Sequence, residues 1–151
     1  MKQGGAELSH TKRSIIALFL LGAFSGQVTA AKAQCPESAY KFWKSFRQTV
    51  LRGDKQKVAD YVHFPFEIRG ALDSSERRKM NREEFVTKFT KLTTTDPGLS
   101  AEPSTMINLV QSTPRLAPGS CSQAGDEFRV GAWGFELNPQ GWHFVRAYLE
   151  H

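Results

Sequence analysis

The chain is poor in cysteine, with two residues in 151, and it has no apolar run long enough to cross a bilayer. It lacks a glycosylation sequon, an internal repeat and any low-complexity tract. Gly-x-Ser-x-Gly, P-loop and dinucleotide fingerprints are also missing. Nothing in the sequence therefore argues for a nucleophile-elbow hydrolase, a nucleotide-phosphate cradle or a dinucleotide site. Histidine is scarce: beyond His10 there are only His63, His143 and His151, without metal-ligand spacing. Neither a metal nor another cofactor is expected.

What is present begins with a leader pattern. Lys12 and Arg13 precede an apolar run from Ile15 to Phe24, and Ala31-Lys32-Ala33 fits an A-x-A cleavage site. Residues 1–33 read as a cleaved secretory signal peptide and residues 34–151 as one domain. A cut after Ala30 is the alternative. Cys35 lies close behind, but Gln34 and Lys32 do not suit a lipoprotein signal, so no membrane anchor is expected after cleavage. Removing Lys2, Lys12, Arg13 and Lys32 against Glu7 lowers the formal charge from +5 to +2. Much of the basic balance thus belongs to targeting, and nucleic acid is not an expected partner. The location expected is secreted or periplasmic. In such a compartment Cys35 and Cys121 should be bridged. A loop that long is worth about 4–5 kcal/mol through lost chain entropy.

The periodicity then gives the elements. Ala39, Phe42, Trp43, Phe46 and Val50 form one apolar stripe of a helix from Pro36 to Arg52, stopped by Gly53. Asp54 caps a second, short helix through Val62. His63 to Gly70 alternates as a strand, with Phe64, Phe66 and Ile68 on one face and His63, Pro65, Glu67 and Arg69 on the other. Pro65 makes it an edge strand or gives it a bulge. Ala71 to Lys79 reads as a solvated polar loop, because no aromatics interleave with Arg77-Arg78-Lys79. Asn81 and Glu84 form a capping box, with Met80 and Phe85 as a hydrophobic staple, and Phe85, Val86, Phe89 and Leu92 form the buried face. Thr105 to Val110 reads as a strand and Gln111 to Gly125 as a long loop. The last stretch reads as an antiparallel hairpin: Glu127 to Leu137, the turn Asn138-Pro139-Gln140-Gly141, then Trp142 to Leu149.

Helix, short helix, strand ending at Gly70, polar loop, capped helix, then antiparallel strands closing on Gly141-Trp142-His143-Phe144-Val145-Arg146-Ala147-Tyr148: this order resembles the NTF2-like, or cystatin-like, α+β cone. The resemblance spans most of residues 34–151 and implies N-terminal helices packed on a curved antiparallel sheet, with a cavity between them. Gly131 and Gly134 could place the bend. The family holds isomerases, cyclases, dehydratases and many non-enzymatic binding proteins, so the fold does not carry the function.

Polar candidates for a site are Asp60, His63, Glu67, Arg69, Arg129, His143 and Arg146. In ketosteroid-isomerase-like members a carboxylate base precedes the glycine that matches Gly70, and Glu67 is the nearest match here. Alternation opposes that role, because Glu67 shares a face with His63 and Arg69 and points outward if the aromatic face is the core. His143 shares a face with Val145, Ala147 and Leu149, which suits a hydrogen-bonded core histidine as well as a site.

Trp142, Phe144, Arg146 and Tyr148 alternate on the other face, with Trp133 on the neighbouring strand. That aromatic row with one arginine has the composition of a cavity wall or of an association surface, such as a sheet-mediated homodimer, and equally of plain core. The first functional reading is an exported, non-enzymatic domain binding a small apolar ligand or a protein. The alternatives are a cone-cavity enzyme of the ketosteroid-isomerase or dehydratase type, and an inhibitor or immunity-type partner of another exported protein. Mass spectrometry of the exported product should find Gln34 as its first residue, or Ala31 for the alternative cut. Recovery of the uncut chain in membranes would sink this assignment.

Overall fold

The computed structural model describes residues 34–70, 77–98 and 104–149. The expected signal peptide lies outside them, as does most of the polar stretch after Gly70. All described residues belong to one compact unit.

Helix α1, Glu37–Leu51, follows Pro36, whose fixed φ of −65° suits the residue before a first turn. Its stripe of Ala39, Trp43, Phe46 and Val50 is buried. Helix α2, Lys55–Val58, is capped by the Asp54 side chain accepting from the Lys57 amide. It tightens into a 3-10 turn, Ala59–Tyr61, so the helix ends before Val62 and strand β1 runs Val62–Gly70.

A cis peptide joins Phe64 to Pro65, and the β1 register against its neighbour shifts between Val62 and Glu67. Of the two expectations for Pro65, the irregularity is found and the edge position is not. Strand β2, Arg78–Met80, pairs on β1's other side and is itself the edge. Arg78 and Lys79 therefore stand in a short strand rather than in the expected loop.

Helix α3, Arg82–Thr94, has the expected capping box. Asn81 Oδ1 accepts from the Glu84 amide at 2.9 Å, and Glu84 Oε2 accepts from the Asn81 amide at 3.3 Å. Met80, Phe85, Phe89 and Leu92 are buried.

The expected strand Thr105–Val110 is instead helix α4, Met106–Ser112. Six apolar-rich residues do not distinguish the two periods. The cap decides: Thr105 accepts from the Asn108 amide, and Met106 and Val110, four apart, are both fully buried. Helix α1 satisfies carbonyls at the end of α4. Arg47 donates to Val110 at 2.8 Å and to Gln111 at 2.7 Å, while Trp43 Nε1 donates to Thr113 at 2.9 Å.

The expected long strand Glu127–Leu137 is two strands. Strand β3, Glu127–Val130, reverses through Gly131-Ala132 into β4, Trp133–Asn138. Gly131 has φ +53°, and a Cβ there would lie 2.5 Å from Leu109 Cδ2, so both backbone and space require glycine. Strand β5, Gly141–Leu149, follows. The sheet order is β2-β1-β5-β4-β3. Strand β5 is parallel to β1 and the other pairs are antiparallel, so the sheet is mixed and not antiparallel throughout.

The fold is α+β, with helices packed against a curved, open, five-stranded sheet. Cys35 and Cys121 are bridged, with Cα atoms 5.2 Å apart, tying the start of α1 to the segment before β3. Cys121 also pairs with Phe128 as an isolated bridge.

Replacing Asn81 by Ala should cost about 1 kcal/mol through the lost cap, and Phe85 by Ala about 3–5 kcal/mol through a core cavity. Denaturant titration of the two variants measures the difference. Equal, small losses would mean that α3 does not pack as described.

Candidate functional site

One extra residue in β5 decides which side chains meet. Phe135 pairs with Phe144, and Gly134 pairs with Arg146, so Val145 has no partner on β4. A strand alternates its faces, and an inserted residue shifts the alternation by one. Before the bulge Trp142 and Phe144 point to the helices and are buried; after it Ala147 does so. Arg146 and Tyr148 turn to the opposite side. The expected row Trp142, Phe144, Arg146 and Tyr148 is therefore split between two faces, and so is the expected row of His143 with Ala147.

The inward half is core. Trp133, Phe135 and Phe144 are fully buried, and Trp142 Nε1 donates to Ser38 Oγ at 3.1 Å. The Trp133 indole N–H is buried with no partner among the described residues.

The outward face carries most of the polar candidates. Arg69 donates twice to Glu67 Oε2, at 2.9 and 2.6 Å. That hydrogen bond holds the Glu67 carboxyl below its ordinary range, against a smaller opposing effect of burial. Glu67 in turn raises the pKa of Arg69. A general base working near neutrality needs the opposite shift and access to the interior, and Glu67 has neither.

Arg146 is almost covered, at 11% side-chain exposure, and it lies between Glu127 and Glu136. Its Nη1 donates to Glu127 at 2.7 Å and its Nη2 pairs with Glu136. Gly134 makes room: a Cβ there would come 2.9 Å from Arg146 Cγ. The Arg129 guanidinium lies 4.1 Å over the Tyr148 ring. The His63 and His143 rings are 5.8 Å apart, and His143 Nδ1 lies 3.0 Å from the Gly141 carbonyl oxygen. Asp60 pairs with Arg82. Among the described residues no three His, Cys, Asp or Glu side chains are grouped to hold a metal.

A different place has the shape of a binding site. Where β1 and β5 finish beside α3, a cleft of about 450 Å³ opens. Ile68, Met80, Leu92 and Leu149 line it with apolar atoms, and Arg78, Lys88 and Lys91 with cations. Arg78 pairs with Ile68 across β1 and β2, which puts it on the helix side of the sheet. Lys88, Lys91 and Leu92 fall on one helix face by spacings of three and four. Only the α3 periodicity hinted at this site, since its strand residues come from separate segments.

No family model matches the chain, and no curated protein or solved structure matches it.

Arg146→Ala leaves Glu127 and Glu136 adjacent without their cation. The loss should be about 2 kcal/mol, between the small worth of an exposed pair and the larger cost of breaking a buried one. Gly134→Ala should also destabilise by displacing Arg146, yet cost less when Arg146 is already Ala. Urea unfolding of both single variants and the double variant tests this cycle. Strict additivity would show that Gly134 does not serve Arg146.

Proposed function

We propose that the chain is an exported, non-enzymatic binding domain of NTF2-like, cone-shaped type. Its ligand site is the cleft between α3 and the ends of β1, β2 and β5. The bridge between Cys35 and Cys121 supports an oxidising compartment, in line with the leader pattern of residues 1–33. Among the described residues no helix is long and apolar enough to cross a membrane.

The observation that carries the reading is the cleft itself. The space between α1 and the sheet is occupied by rings, including Phe46, Phe135 and Phe144, all fully buried. Ligand volume is instead offered at the end of the sheet, with about 450 Å³ inside the range of small-molecule sites. Its floor is apolar and it has few polar groups, the usual arrangement in which burial gives affinity and a charge gives orientation. The isomerase-like alternative loses its base, because Glu67 is held ionised on the far face of the sheet.

Decanol is a neutral probe of this reading. Its binding should shift methyl resonances of Ile68, Met80, Leu92 and Leu149 and leave those of Val50 and Val58 unmoved. Leu149→Trp should fill the mouth and abolish the shifts while the melting temperature holds. Shifts centred elsewhere, or unchanged binding by the folded Leu149→Trp protein, would remove the cleft from consideration.

A further inference from the structure

We infer that the cleft takes a free amphipathic anion: one carboxylate, sulfonate or phosphate head on an aliphatic or aromatic body. This rests on the cleft being the ligand site and adds the ligand's chemical class.

The cleft is two-sided in chemistry. Ile68, Met80 and Leu92 are buried nearly completely, so only a narrow strip of each faces the opening, and Leu149 extends that strip. Such a floor favours methylene or aryl carbon and offers a polar body nothing to bond. Among the described residues the rim is of one sign: Arg78, Lys88 and Lys91 line the cleft and no carboxylate does.

The three cations are not equally committed. Arg78 reaches Glu84 at 3.5 Å, a long contact between two well-exposed groups that contributes little. Lys88 and Lys91 make no ion pair among the described residues. Their ammonium groups are three residues apart on the face of α3 that carries Leu92, so both can reach a single head group. Flexible lysines suit a rounded anionic head of unspecified geometry, where a planar arginine fork would select a bidentate one.

A cationic amphiphile would place like charges together, and a neutral one would leave the rim unanswered. A lipid held in a membrane is a different source of the same chemistry. The apolar floor between α3 and the sheet offers contact to the tail of a free monomer, whereas a bilayer keeps its tails.

Calorimetry and methyl NMR on the disulfide-bonded protein test the class with three ten-carbon probes: decanoate, decanol and decyltrimethylammonium. Decanoate should bind about tenfold or more tighter than decanol, the size of one charge-assisted hydrogen bond, and shift Ile68, Met80 and Leu149. The Lys88→Gln/Lys91→Gln variant should lose that preference and keep its decanol affinity. Both positions are exposed or half-exposed, so the variant should stay folded, and the melting temperature checks this. Added salt should weaken decanoate more than decanol.

Equal affinities for decanoate and decanol at the cleft overturn the anion class and leave the cleft standing. A preference for decyltrimethylammonium also overturns it, and a decanoate preference that survives in the double variant overturns the assignment of the head group to Lys88 and Lys91. Cleft resonances unmoved by any probe defeat both this inference and the reading beneath it. Binding to phosphatidylglycerol vesicles without any binding of monomeric decanoate rejects the free ligand in favour of a lipid surface.

Discussion

Phe46 is the side chain on which the packing of helices against sheet depends. Its ring lies 5.1 Å from that of Phe135, 5.4 Å from Phe144 and 6.0 Å from Trp133, all on the sheet. On its own side it meets Phe42 and Tyr61, each at 5.8 Å. Most of these contacts are edge-to-face, the geometry that aligns a ring's positive edge with its neighbour's negative face. Rings of this size set the gap between α1 and the sheet, and they fill it. A second cluster continues the same layer under α3, where Phe85 lies 5.0 Å from Phe66 and Phe66 lies 4.7 Å from Phe144. An interior packed this way has given its volume to stability.

Much of this was legible in the sequence, because helix and strand periods repeat often enough to be recognised. The α1 stripe, the α3 capping box with its staple, the β1 alternation and the bridge from Cys35 to Cys121 all appear as read. The failures share a cause: each turns on a single residue whose effect depends on distant partners. Gly131 reverses the chain with φ +53° at a place where Leu109, Met106 and Pro97 leave no room for a Cβ, and none of them adjoins it in sequence. Val145 carries no bulge signal of its own, yet it exchanges the faces of everything after it. The parallel pairing of β1 with β5 joins segments about 80 residues apart, which local patterns do not report. In the α4 segment a cap of one hydroxyl outweighed an apolar run that suited either period.

The bulge also has an electrostatic consequence. It carries Arg146 out of the aromatic core, where an unpaired guanidinium would be costly, and sets it between two carboxylates. Gly134 opposite leaves the side chain room to lie flat along the sheet. The outer face thereby becomes a set of short, mutually satisfied contacts: Arg146 with Glu127 and Glu136, Arg69 with Glu67, and Arg129 over Tyr148. Groups engaged in this way are poorly suited to proton transfer. Glu67, Arg69 and Arg146, three of the polar candidates in the sequence, are thus paired with opposite charges on the sheet surface.

The cleft follows from the same packing logic at the point where it stops. Along α3 the row of Phe85, Phe89 and Leu92 is buried against the sheet, while the neighbouring row carries Lys88 and Lys91. An ammonium group must stay in water, so a lysine covers apolar surface with its stem and cannot seal it as a phenylalanine would. Where β1 and β5 end, Ile68 and Leu149 consequently border an open cleft with lysines on its rim, in place of a ring. Charge at these two helix positions is thus consistent with a core that stays open at this end. Apolar residues there would extend the ring layer and close the cleft at a gain in stability. Lysine there leaves contact energy unused in the free protein, and the amphipathic anion proposed for the cleft would recover it on both sides at once.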